Sequence, residues 1–436
     1  MTTYKPIIGL ELHVELATKS KMFCNCPADH FHKSPNSQTC PVCLGMPGTL
    51  PTPNRLAMEL SIKISHALNC TINDEFIFAR KHYFYPDLPK GYQITQFQNP
   101  VGSNGHLLIN GKKFRINRVH IEEDTGKLVH KDGGSLVDFN RAGVPLVEIV
   151  TEPDFSDWKD VVDYFTRIQS IVRALGAADA DMEKGQMRLE PNISLRLEGE
   201  NDLPSYKVEV KNINSFRFVK NAIIFEIERQ KKILENGETP VQETRGFDPE
   251  QGITFSQRSK ETVAEYKYFP EPDIPPIVFG KEEIKKLLKD TPELPDEKYE
   301  RYINELKISG TYAEILIKDI STSSYFDKVV SSLSKDKLIL APEVAKFIVN
   351  KKFPLDLPPE EFIERVEDLT KSTVLDEGYL SQIAEKVLSN NQGLVDKYKS
   401  GKIEVLNVLI GLTMEESKGQ FSPDAAREKL KLLLSK

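Results

Sequence analysis

The sequence predicts an α+β protein, a mixed N-terminal part built on a largely antiparallel sheet and followed by helices alone. Residues 1–275 alternate short β-like runs with Gly, Pro and Asn punctuation, and only two helical periodicities interrupt them clearly. Strands interleaved irregularly with helices argue against regular βαβ winding. The run Glu271-Pro272-Asp273-Ile274-Pro275-Pro276 is stiff and cannot continue a helix, and beyond it the composition turns helical and rich in Lys and Glu.

The two helices are read from spacing. Trp158, Val161, Phe165, Ile168, Val172 and Leu175 recur at steps of three and four, and Gly176 supplies a stop. Phe216, Val219, Ile223 and Ile227 repeat the pattern, ending at Asn236-Gly237. A second Pro-rich seam lies at Asp356-Leu357-Pro358-Pro359. At 436 residues the chain exceeds the ~250–300 over which a single core keeps growing, so several domains are expected.

The net charge of −7 excludes a global basic field for nucleic acid and leaves room only for a local stripe of Lys and Arg. The stretch from Ser372 to Lys436 carries nine acidic and nine basic residues and has no net field of its own. No apolar run approaches the ~18–20 residues that span a bilayer, and Met1-Thr2-Thr3-Tyr4-Lys5 lacks a signal-peptide core. A cytoplasmic protein without membrane contact is expected.

In such a compartment, clustered cysteines point to a metal rather than to disulfides. Cys24-Asn25-Cys26 and Cys40-Pro41-Val42-Cys43 place four of the five cysteines within 20 residues. Two close thiolate pairs joined by a short loop suit tetrahedral Zn²⁺, and four protein ligands leave no open position, so the zinc is expected to be structural. Cys70 is expected as a small core residue in a helical run with Ile64 and Leu68.

The chemistry lies in a set of acidic strands. In Leu10 to Leu16 the apolar residues alternate with Glu11, His13 and Glu15. His120-Ile121-Glu122-Glu123-Asp124 packs four ionisable groups into five residues, and Glu148 is the single carboxylate within Val144 to Val150. A carboxylate in so apolar a strand is costly unless paired or bound to a metal. Met187 to Leu197 sends Arg188, Glu190, Asn192, Ser194 and Arg196 to one face. Carboxylates beside Arg and Asn suit Mg²⁺ and a nucleoside triphosphate, although an ordinary wet face of an antiparallel sheet has the same pattern. No P-loop, kinase glycine loop, amidase signature or Cys-His nucleophile is present, so ATP use would need another scaffold and glutamine hydrolysis another chain.

Taken together, these strings resemble the GatB family, the B subunits of tRNA-dependent aspartyl/glutamyl amidotransferases. The matching motifs include Ile8 to Leu16, Arg80-Lys81-His82-Tyr83-Phe84-Tyr85-Pro86-Asp87, His120 to Asp124 and Asp138 to Glu148. They continue with Asn192 to Arg196, Glu209 to Arg217, Gln242-Glu243-Thr244-Arg245 and Tyr268 to Asp273. Tyr398 to Lys402 and Ser417-Lys418-Gly419-Gln420 look like the family's tail.

The resemblance implies a catalytic cradle over 1–290, similar to the glutamine synthetase/guanido kinase fold, with a zinc-binding insert at about 24–43. It further implies a helical domain over 291–371 and a tRNA-binding helical tail over 372–436. ATP would phosphorylate the side-chain carboxylate of Glu-tRNA(Gln) or Asp-tRNA(Asn). Ammonia from an amidase A subunit, bridged by a small C subunit, would then displace phosphate. Glu11, His13, Glu123 and Glu148 are the implied catalytic residues, and Glu11, His13, Glu122, Glu123, Glu148 and Glu190 the implied Mg²⁺ ligands. Lys81, Arg188, Asn192, Lys211, Asn212 and Asn214 are implied for ATP or substrate.

Three departures stand out. Glu190-Pro191 replaces the family's usual Asp-Ala, the cysteine quartet occurs in only some members, and the stretch from Leu357 to Tyr379 looks shortened. The alternatives are the archaeal E-subunit type, which usually carries an insertion, a zinc-stabilised tRNA binder without chemistry, and a freestanding ATP-dependent ligase.

Overall fold

The structure is a computed structural model and describes residues 3–131, 133–259, 267–374, 377–400, 402–417, 421 and 423–434. The chain forms two compact units, Met1–Tyr299 and Glu300–Lys436.

The strands of the first unit begin with β1 (Tyr4–Glu15), β2 (Thr71–Ile72), β3 (Glu75–Phe76), β4 (Ala79–His82) and β5 (Tyr92–Thr95). Then come β6 (Gly102–Ile109), β7 (Lys112–Glu123), β8 (Lys127–Lys131), β9 (Gly134–Asp138), β10 (Pro145–Thr151) and β11 (Met187–Leu197). The last are β12 (Val208–Lys211), β13 (Glu243–Asp248), β14 (Ile253–Ser259), β15 (Lys267–Pro270) and β16 (Ile277–Val278). Nine of them make one sheet in the order β14-β13-β12-β11-β1-β10-β7-β6-β2. Only β12 and β13 run parallel in it; the remaining pairs are antiparallel. A second sheet, β15-β4-β5, lies beside β7.

The expected alternation in β1 decides which way this sheet faces. Ile8, Leu10, Leu12 and Val14 are fully buried, in one core with Ile62 of α1 (Arg55–Ala67), Phe165 of α2 (Trp158–Ala174) and Ile223 of α3 (Phe216–Glu235). The helices therefore cover one face, leaving Glu11 and His13 on the other. Asp157 caps α2 by accepting from Lys159 N, and Gly176 stops the chain at φ +61°. Ser215 caps α3 through Phe218 N, and Gly237 follows its end at φ +80°. Cys70 departs from expectation: α1 closes at Ala67, so Cys70 lies in the connection to β2, half-buried against the core.

In the second unit, helices Gly310–Lys318, Ile320–Ser331, Ala341–Val349 and Pro359–Val374 bury Leu316, Phe326, Val344 and Phe362. Helices Glu377–Asn390, Gln392–Lys399, Val405–Glu416 and Pro423–Leu434 enclose a separate core of Leu380, Ala384, Leu409 and Leu430. Of the tail motifs, Gly401 and Lys418-Gly419-Gln420 lie outside the described residues. Among the described residues no helix is long and apolar enough to cross a membrane.

Candidate active site

Strand register assembles the acidic face. His13 on β1 lies opposite Glu148 on β10, which lies opposite His120 on β7. Glu148 Oε2 is 3.5 Å from His13 Nε2 and 3.2 Å from His120 Nε2. Glu122 enters the same group, 3.7 Å from His13 and 3.8 Å from His120, and accepts from Thr95 Oγ1 at 3.2 Å. The buried Glu148 is thus paired, as its apolar strand requires. Burial would raise its carboxyl, but His120 and His13 outweigh that and hold it well below the usual range. Lys81 on β4 lies within electrostatic reach: burial opposes its charge, yet Glu122 and Glu148 push its pKa up.

A second acidic group adjoins the first. Glu11 lies opposite Glu190 on β11, and Glu209 on β12 completes the trio. Asn192 Nδ2 donates to Glu11 Oε1 at 3.0 Å, and Lys211 Nζ lies 2.7 Å from Glu190 and 3.5 Å from Glu209. Burial raises the Glu11 carboxyl, and the carboxylates of Glu148, Glu209 and Glu190 raise it further. Such a site holds more negative charge than its resident cations balance.

Metal fit follows from these facts. One ligand atom each from His13, Glu122 and Glu148 lies within 4.8 Å of the others, and so it is for Glu11, Glu190 and Glu209. Nδ1 of His13, Nδ1 of His120 and Oδ1 of Asn192 are buried without a hydrogen-bond partner. Oxygen-rich groups of this kind suit a hard divalent cation.

Glu123 goes elsewhere. Neighbouring residues of a strand point to opposite faces, so Glu123 turns away from Glu122 to the core side. There Lys90 Nζ approaches to 2.5 Å and Ile94 N donates at 2.9 Å, taking both its oxygens. The structure does not bring it to the acidic face. Arg188 reaches that face but is engaged by Asp124 at 2.7 Å. Asn212 and Asn214 are exposed on the loop after β12, and neither makes a side-chain hydrogen bond to the acidic groups among the described residues. Two residues of these groups lie outside the expected ligand set. His120 shares alternate spacing with Glu122, a signal legible in the sequence. Glu209 alternates with Lys211, a signal too short to interpret without knowing which strand lies beside it.

Burial would raise the Asp124 carboxyl, but Arg141 and Arg188 outweigh it and hold it at about 2. A carboxylate held below its unfolded value near ~3.9 stabilises the fold above that pH, and the contribution is lost as pH falls towards 2. About 2 kcal/mol is at stake. Urea unfolding of Asp124→Asn between pH 4.5 and 2 should therefore show a flatter decline than the parent, and equal slopes would refute the assignment.

The four cysteine sulfurs, of Cys24, Cys26, Cys40 and Cys43, all lie within 4.8 Å of one another. Tetrahedral zinc with ~2.3 Å bonds holds its sulfurs about 3.8 Å apart, so the quartet fits a metal. Lys21, almost fully buried, places Nζ 3.8 Å from Cys43 Sγ and donates to Gln38 O and Phe139 O. This cation offsets thiolate charge and ties the loop to the sheet domain.

Two family profiles match the chain: one described as the GatB/GatE catalytic domain over residues 6–285, the other as the GatB domain over 299–434. The chain is 42% identical to a protein of Persephonella marina and 42% to one of Thermosipho melanesiensis. It is 40% identical to one of Thermotoga maritima, and in each case 99% of both chains is covered. All three relatives are named as the B subunit of an aspartyl/glutamyl-tRNA(Asn/Gln) amidotransferase.

Proposed function

From the premise that the chain belongs to the GatB/GatE family, we propose that it is the B subunit of a tRNA-dependent amidotransferase. Its substrates are ATP and the side-chain carboxylate of Glu-tRNA(Gln), Asp-tRNA(Asn) or both. The observation that carries this reading is the convergence of Glu148, Glu122, His13 and Glu11 on one sheet face, with Lys81 beside them. A protein that only binds tRNA gains nothing from acidic groups facing phosphate, which they repel.

The side-chain carboxylate attacks the γ-phosphorus of ATP; the bond to the β-phosphate oxygen breaks and ADP leaves. The product is an acyl phosphate, whose carbonyl carbon ammonia then attacks, expelling phosphate and losing a proton to give the amide. His13, Glu122, Glu148, Glu11 and Glu190 are the residues to hold Mg²⁺, with Glu209 added and Glu123 left out. The ion, when bound, offsets charge on the transferring phosphoryl group. Lys81 and Lys211 keep positive charge beside the same carboxylates, and Asn192 orients Glu11. Zn²⁺ at the four cysteines is structural.

The partners in this reading are an amidase A subunit that supplies ammonia, a small C subunit and misacylated tRNA, in the cytoplasm. Residues 1–290 form the catalytic cradle, 291–371 a helical domain and 372–436 the tail that grips tRNA. The E-subunit type is disfavoured because the chain matches B subunits over 99% of their length.

Amidation by the chain assembled with A and C subunits, with each misacylated tRNA in turn, tests the reading directly. Conversion of at least one tRNA, dependent on both ATP and glutamine, is expected. Phosphate release without any tRNA would point to a small-molecule ligase instead.

A further inference from the structure

Phe97 is 55% exposed, while its inner face stacks on Tyr268 with centroids 4.2 Å apart and planes 11° from parallel. Neither ring takes part in the machinery described above. Tyr268 on β15 is paired with Lys81 on β4, and both lie within electrostatic reach of Glu122 and Glu148. Gln96, adjacent to Phe97, accepts from Ile121 N of β7, and Thr95 donates to Glu122. The stack is therefore fastened to the strand that carries the acidic group, with an open aromatic face at its lip. Arg118, 4.0 Å from Glu148 and 41% exposed, adds positive charge nearby.

At the other end of the same face lies a cavity of about 280 Å³ lined by Gly9, Glu11, Asn192, Leu203 and Tyr206. Gly9 precedes Glu11 along β1, whereas Glu122 lies level with Glu15 through Leu146. The acidic groups thus run between a recess and an aromatic lip. Phosphoryl transfer needs its attacking and leaving oxygens roughly in line, so donor and acceptor must enter from opposite sides. A recess suits a small nucleoside, and an open lip suits the end of a polymer whose bulk stays outside. An amino acid esterified to a terminal ribose places its side-chain carboxyl only about 6 Å from the ester. The terminal nucleoside must therefore lie close to Glu122 and Glu148.

We infer that the open face of Phe97, backed by Tyr268, is the stacking platform for the terminal base of the acceptor tRNA's single-stranded 3′ end, an assignment that rests on the reading above. Aromatic stacking of this kind is tolerant of sequence, because every base offers a π-face.

The test uses the assembled complex and an RNA minihelix carrying 2-aminopurine as its 3′-terminal base. Binding should quench the probe, and Phe97→Leu should abolish the quench. The same variant should raise KM for aminoacyl-tRNA about tenfold without moving KM for ATP, and Phe97→Trp should restore both readouts, which a folding defect would not allow. A quench that persists in Phe97→Leu overturns the platform, and so does a rise confined to KM for ATP. A wild-type complex that quenches the probe but never amidates overturns the functional reading alone. One that amidates without quenching overturns the platform alone.

Discussion

Glu148→Gln should lower the amidation rate by about a thousandfold or more while leaving tRNA affinity within about twofold. The exchange keeps the shape and removes the negative charge that two histidines share. Glu148 Oε2 is the common partner of His13 and His120. Several kcal/mol of transition-state charge stabilisation rest on a bound cation, and each 1.36 kcal/mol is tenfold in rate. Folding should survive, because both imidazoles can shed a proton when their acceptor is neutral. Glu122→Gln should behave alike, since its carboxylate meets the same two histidines. Glu123→Gln, facing Lys90 on the other side of the strand, should leave Mn²⁺ binding intact when followed by electron paramagnetic resonance. Full activity in Glu148→Gln, or loss of Mn²⁺ only in Glu123→Gln, would dismantle the active-site assignment.

The second large effect concerns the cysteine quartet. Purified protein should contain one zinc per chain, and Cys40→Ser should lose it together with at least about 10 °C of thermal midpoint. Structural zinc sites contribute about 10–16 kcal/mol of apparent binding free energy to the segment they close, and 1 kcal/mol shifts the midpoint of a large domain by about 2–4 °C. The loop is stitched into the sheet domain at several points: Lys21 reaches Phe139 O, Thr52 N donates to Phe23 O, and Asn54, the cap of α1, donates to Ser20 O. Loosening the sulfurs therefore loosens the start of a core helix. Elemental analysis and calorimetry decide the matter; metal-free protein of unchanged midpoint would show the cluster to be incidental.

Much of this site is legible in the sequence alone. Period-two alternation in β1 and β11 set the correct residues on one face, and the lone Glu148 in an apolar strand announced its need for a partner. The cysteine spacing pointed to a closed quartet. A motif groups Glu123 with Glu122 as a unit, whereas a strand turns them to opposite sides. Glu209 is illegible for a different reason. Its nearness to Glu11 depends on β12 pairing with β11, and β11 with β1, across nearly 200 residues of sequence. Strand order is a tertiary fact without a local signature. Cys70 reads as helical because Leu68 carries the spacing of Ile64 one residue past the last helical residue, Ala67.

The one-sided layering of the main sheet separates two kinds of genetic vulnerability. Along β1, changes at Leu10, Leu12 or Val14 strike packing beneath the helices, and a Leu-to-Ala truncation there costs about 2–5 kcal/mol. At Glu11 and His13, one residue away in either direction, a change spares that packing and, under the proposed function, should silence reactivity instead. Conditional alleles sensitive to heat should therefore gather at one parity of the strand, and outright null alleles that still accumulate protein at the other.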